Sequence, residues 1–170
     1  GDGGKGYNAL ALQHGAEPNS KVVKDVLALV HGKGQGTGPK EEVGQVLYMR
    51  GLISSMLQVE AVRAAQGRYG KGKRITGEQM RWGLENLNLD QKALDGLGLA
   101  GVMRPVQTSC LDHMGSAWAR LHTWDGKKWN FSSDWYQGDE KVLRPLVIST
   151  AGKYADEKKI VRRTADDCKK

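Results

Sequence analysis

A chain of 170 residues with 26% charged and 39% hydrophobic residues has an ordinary globular balance and enough length to bury a core. No run of about 18 apolar residues exists, which excludes an obvious membrane-spanning helix. The formal net charge of +7 comes from scattered Lys and Arg, with short clusters only at Lys71-Lys73-Arg74 and Arg162-Arg163. No basic stripe interleaved with stacking aromatics supports a nucleic-acid partner, so the charge reads as a solvated basic surface. The chain starts Gly1-Asp2-Gly3-Gly4, with neither Met nor a basic-then-apolar leader, which predicts a processed or cut polypeptide.

In chain order, Tyr7 to Leu12 reads as a short strand. Ser20 is a fair N-cap for a helix whose apolar face is Val22, Val23, Val26, Leu27 and Val30, stopped at Gly32. Gly32 to Lys40 is glycine-rich but lacks the Gly-Lys-Ser/Thr and the preceding apolar strand of a phosphate loop, so it reads as a surface connection. Apolar residues at three- and four-residue steps predict the longest helix over 41–66, with Met49 and Met56 as core. Thr76-x-x-Gln79 forms a capping box opening a helix through about Asn86. A shorter helix follows from Asn88-Leu89-Asp90 to about Gly98.

The segment from Gly101 to Cys110 reads as extended. Ala117 to Trp124 and Trp129 to Ser132 flank Asp125-Gly126, the strongest hairpin signal in the chain. Alternation puts Trp118, Arg120, His122 and Trp124 on one strand face, and Ala117, Ala119, Leu121 and Thr123 on the other. A final helix spans 140–158 with Pro145 in or splitting it, before a charged tail. The order is α/β but poor in strands. Four helices need a sheet to cover, so the pattern implies that part of the fold is missing.

The two cysteines, Cys110 and Cys168, belong to no Cys-x-x-Cys pair, which disfavours structural zinc. In an exported protein they form one disulfide; in a cytosolic one they are two unrelated thiols. Cys110-Leu111-Asp112-His113 crowds potential metal ligands or a Cys-His nucleophile pair onto one segment. On an extended backbone Cys110 and Asp112 share a face that His113 does not, and neither a fourth ligand nor an orienting third group is evident. The hairpin tryptophans, Trp118, Trp124, Trp129 and Trp135, are expected to cover an apolar face rather than stack a ligand.

Taken in order, "GDGGKGYNALA", "VGQVLYMRGLISSMLQVEAVRAAQ", "ITGEQMRWGLENLNL", "VQTSCLDHMGSAWARLHTWDGKKWNFSSDW" and "LVISTAGKYADEKKI" resemble the C-terminal part of type I periplasmic substrate-binding proteins of ABC importers, the branched-chain amino acid, amide, urea and aromatic-acid receptors. The resemblance implies a two-lobe α/β fold of three-layer lobes with its N-terminal half absent. Residues 1–12 would end the second lobe, 13–116 would return through the first, 117–136 would cross back as a hairpin, and 137–170 would form the terminal helix and tail. It implies a periplasmic receptor that closes on a small polar ligand such as an amino acid, amide or aromatic acid, and delivers it to an ABC importer permease. Such a receptor does no chemistry, needs no cofactor or metal, and is monomeric at full length. Tyr48, Arg50, Asp112 and His113 are the residues offered as ligand contacts, Arg50 through a bidentate carboxylate grip. Cys110 then pairs with Cys168. The alternatives are a cytosolic ligand-sensing regulatory domain of the same fold and an enzyme using Cys110 and His113.

Overall fold

The structure, a computed structural model, describes residues 8–11, 15–115 and 117–169. It is a mixed α/β arrangement with small sheets. The expected ends of the first strand, Tyr7 and Leu12, and the expected crossing at Gln13-His14 lie outside the described residues.

Strand β1 (Asn8–Ala11) is followed by α1 (Lys21–Val26), which widens over Leu27–His31 into a π-helical turn. Gly32 closes that turn, its N–H donating to the Leu27 carbonyl. Ser20 precedes α1 without capping it; its hydroxyl donates instead to the Glu17 carbonyl at 2.8 Å. The long helix α2 (Val46–Tyr69) starts five residues later than the periodicity predicts. Gly44 explains the delay. It sits at φ +94°, where helical continuation is impossible, and a Cβ there would lie 2.6 Å from the Pro18 Cα. Glu41 and Glu42 are left in a separate short 3₁₀ turn, Lys40–Glu42.

Helix α3 (Gly77–Leu84) opens on the complete Thr76–Gln79 capping box. It packs on α2 at Gly83, where a Cβ would meet the Ala61 carbonyl oxygen at 2.2 Å. Asn88 and Leu89 do not open the next helix as expected. They form strand β2 (Asn88–Leu89), paired antiparallel with β3 (Val106–Gln107). Asp90 then caps α4 (Gln91–Gly96), accepting from the Ala93 N–H at 2.8 Å. The principal core joins α1, α2, α4 and the 99–103 turn through Val23, Met49, Ile53, Leu94, Leu99 and Met103. It is a core of helices and loops with one two-residue ribbon at its edge.

The second sheet is built around β4 (Trp118–Trp124). Strand β1 pairs with it, Leu10 opposite Leu121. Strand β5 (Trp129–Phe131) returns from the hairpin with Trp129 opposite Trp124, and β6 (Tyr136–Gln137) pairs with the start of β4. Asp125 holds the hairpin turn by accepting from the Lys127 and Lys128 N–H groups, and Gly126 supplies φ +97°. Helix α5 (Glu140–Glu157) is capped by Asp139 and carries Pro145 inside it without breaking. The tail beyond α5 is tied to the body by a disulfide between Cys168 and Cys110, 58 residues apart in sequence. Among the described residues, no helix is long and apolar enough to cross a membrane.

Candidate functional site

The segment from Gln107 to Trp118 connects the helical core to the β4 sheet, and most polar side chains with long-range partners gather beside it. Its middle is a tight turn rather than an extended strand. The Ser109 N–H donates to the Asp112 carbonyl at 2.8 Å, and the Asp112 N–H donates to Ser109 Oγ at 3.0 Å. The turn sends Asp112 and His113 to different neighbours.

Asp112 is clamped by Arg144 of α5 at 2.6 Å, and Arg144 also reaches Glu140 at 3.4 Å. The hydrogen bond from Arg144, helped by the Met114 N–H, holds the Asp112 carboxyl below the usual range, while the same pairing pushes the Arg144 guanidinium up. Asp112 lies on the wall of an open pocket of about 590 Å³ shared with Asn88, Gln107, Ser109, Trp118 and Gln137. One face of Trp118 carries the Arg104 guanidinium at 4.6 Å from the ring centroid. The pocket therefore offers amide and hydroxyl groups, the two carboxylates of Asp90 and Asp112, and one indole.

His113 turns the other way, its Nε2 3.4 Å from Glu85 at the end of α3. Glu85 is only 7% exposed and is surrounded by cations. Arg81 approaches at 3.7 Å from the preceding helical turn, and Arg163 donates to it from the tail. Arg163 also lies 3.9 Å from the Cys110 sulfur, so the disulfide and the Glu85 cluster form one unit. Cys110 is consumed in that disulfide and has no thiolate to offer, which removes the Cys110–His113 nucleophile pair. Among the described residues, no group of three or more His, Cys, Asp or Glu is placed to hold a metal ion.

A second polar cluster sits inside the β4 sheet. Arg120 forms an ion pair with Glu17, and its guanidinium lies between the rings of Phe131 and Trp135. Burial raises the Glu17 pKa and lowers that of Arg120, each only partly offset by the other charge. His122, 5% exposed, packs edge-on to Phe131 at 4.1 Å, and burial followed by the Arg120 charge lowers its pKa. Gly15 lets the chain pass here, since a Cβ would come within 2.7 Å of the His122 ring. The Arg120–His122 face of β4 is thus the inner one, and Leu121 faces out at 39% exposure.

The remaining expected contact residues stand apart. Tyr48 packs against the helical core, and Arg50 is exposed on the same helix. Neither is among the residues lining the pocket beside Asp112 or the cleft beside His113. Sequence reasoning missed Glu85, Arg144 and Arg163. Glu85 had one signal, the four-residue spacing from Arg81; the two arginines reach their partners only through the fold.

No protein-family model matches the chain, and no curated protein matches it either. One solved structure does. It is described as an ABC transporter permease from the Pseudomonas fluorescens group, and it superposes with a TM-score of 0.86 at 38% sequence identity. The match covers 95% of this chain but 39% of that one, so the chain spans well under half the length of the protein it resembles. This likeness corrects the expected function. The similar protein is described as a permease, so the expected role as a solute-binding receptor is overturned, while a relationship to ABC transport stands. The cytosolic regulatory alternative gains no support from it.

Proposed function

We propose that the chain contributes a water-exposed, disulfide-stapled part of an ABC transporter permease component. The observation that carries this reading is the 38% identity and TM-score of 0.86 over 95% of the chain with a protein described as such a permease. The mean hydropathy of −0.55 and the charged surface support the water-exposed part. The Cys110–Cys168 disulfide supports an oxidising compartment, the periplasmic side in a cell with two membranes, because cytosolic thiols are kept reduced. The part performs no covalent chemistry in this reading.

Two finer statements belong to the same proposal. The helical unit and the β4 sheet with α5 are portions of two α/β lobes, with the Gln107 to Trp118 segment crossing between them. The pocket beside Asp112 is where this part meets the transported solute. Its amides, hydroxyls and the Trp118 ring fit a small polar organic molecule with hydrogen-bonding groups and a flat face.

The test is deletion of the gene in its own host, followed by ATP-dependent uptake of labelled amino acids, amides and aromatic acids. Loss of uptake of one solute class, restored by the wild-type gene and weakened by Trp118→Ala, is the expected result. Unchanged uptake of every solute, together with failure of the tagged chain to co-purify with an ATP-binding cassette subunit, would refute the proposal.

A further inference from the structure

The positive charge of this chain is concentrated in one region. Residues 61–84 carry six cations (Arg63, Arg68, Lys71, Lys73, Arg74 and Arg81) less one acid, Glu78, so a net +5 of the chain's +7 sits there. These residues span the second half of α2, the turn after it and α3. Arg63 is paired with Glu60, and Arg81 approaches Glu85. Arg68, Lys71, Lys73 and Arg74 are exposed and make no ion pair with any described residue. Arg68 lies in the last turn of α2, where a cation answers the helix dipole. The other three lie beyond the helix, so its stability does not account for them.

The turn that bears these three is held in place. Gly70 at φ +127° and Gly72 at φ +71° take conformations that L side chains rarely adopt. The Gln66 side-chain amide donates to the Lys73 carbonyl at 2.8 Å and ties the turn back to α2. Packing of α3 on α2 at Gly83 brings Trp82 to the same end, edge-on to Tyr69 with ring centroids 5.7 Å apart. The Arg68 guanidinium stacks on Trp82 at 4.6 Å from the centroid. Spacing along the sequence shows a basic cluster without interleaved aromatics; the fold supplies the aromatics.

Charge complementarity requires an anionic occupant. Of the four cations, only Arg68 lines the neighbouring pocket, so Lys71, Lys73 and Arg74 extend from an open turn rather than converge on one small ligand. An occupant that offers many negative groups without a fixed geometry suits such a surface. An anionic lipid headgroup layer does so, and Tyr and Trp rings are favoured at its depth.

We propose that the turn over residues 70–74, with Arg68, Tyr69 and Trp82, is a docking face for an anionic phospholipid surface. The proposed permease role bears only on the choice of occupant, since it would set the chain beside a membrane. Vesicle binding is read without transport, so failure of uptake and failure of lipid docking are separate results.

The test is sedimentation of the 170-residue chain with vesicles of phosphatidylcholine, with and without phosphatidylglycerol. It is run at an ionic strength of about 0.1 M and again at about 1 M, where screening acts within roughly 3 Å. The chain should bind the phosphatidylglycerol vesicles and not the neutral ones, and the higher salt should release it. Each cation near an anionic surface contributes about fivefold in partitioning, so K71A/K73A/R74A should weaken binding roughly a hundredfold. The matched variant K33A/K92A/K153A removes three exposed cations elsewhere and should weaken it less than about fivefold. None of these six side chains makes a hydrogen bond or ion pair with a described residue, so both variants should melt with the wild type. Equal binding to both kinds of vesicle, binding to neither, or equal losses in the two variants would overturn the proposal. So would tighter binding to polyglutamate than to the anionic vesicles, because an acidic polypeptide would then be the occupant.

Discussion

Replacing both cysteines by serine, C110S/C168S, isolates what the disulfide contributes. The bridge closes a segment with a sequence separation of 58, linking the connecting turn to a tail that is otherwise held by the exposed Arg162–Asp156 pair and by Arg163 on the nearly buried Glu85. In the chain-entropy account, cross-linking that length removes about 14 cal/mol/K from the unfolded ensemble, or about 4 kcal/mol at 25 °C. For a chain of this size that corresponds to a melting temperature lower by roughly 10 °C. Urea unfolding of the double variant and the wild type, both under non-reducing conditions, measures it directly. Truncation after Lys158 is the informative companion. It removes the disulfide together with the Arg163–Glu85 pair, leaving Glu85 nearly buried with only Arg81 and His113 beside it. The truncated chain should therefore lose about 2 kcal/mol more than the double variant, the scale of a lost charge-assisted hydrogen bond. A loss below about 1 kcal/mol in C110S/C168S would refute the reasoning, since it would mean that the unfolded chain gains little freedom when the bridge is absent.

Three further outcomes follow from the structure. Gly83→Ala drives a methyl group onto the Ala61 carbonyl at a 2.2 Å approach, so α3 must shift off α2, at a cost of about 3 kcal/mol in urea unfolding. Glu17→Ala leaves Arg120 buried without its carboxylate and should cost about 3 kcal/mol, whereas Glu17→Met with Arg120→Met should fall within about 1 kcal/mol of wild type, because the pair is already penalised by burial. The pH profile separates two carboxylates. Burial raises Glu17 above its ordinary 4.5, so the folded state holds its proton longer, and the stability it contributes below 4.5 is lost as pH rises through the folded value; Glu17→Gln should remove that decline. Asp125 is lowered to about 2 by the Lys128 and Lys127 N–H groups and Asn130, so its contribution is complete above 3.8 and lost as pH falls through about 2; Asp125→Asn should flatten that acid limb of the urea midpoint.

Local signals in the sequence determined a good deal. The Thr76–Gln79 capping box, the Asp125-Gly126 turn and the apolar spacing of α2 each act within a few residues, and each is read by the chain as the pattern implies. Where a distant contact competes, the local pattern loses. Glu41 and Glu42 stay outside α2 because Gly44 must turn tightly against Pro18, and Asn88-Leu89 is taken into a ribbon by Val106-Gln107, a partner with no local signature. Likewise, Arg120 and His122 sit on the inner face of β4 although Leu121 is the more apolar, because Glu17 and the aromatic rings of Phe131 and Trp135 are brought there by folding. The composition of the Asp112–His113 segment marked it as chemically dense, but what each residue touches was decided by tertiary structure alone. Arg144 reaches Asp112 from 32 residues downstream (144 − 112) and Arg163 reaches Glu85, the partner of His113, from 78 residues downstream, and side-chain partnership over such separations is set by how helices and tail are stapled together, not by spacing along the chain.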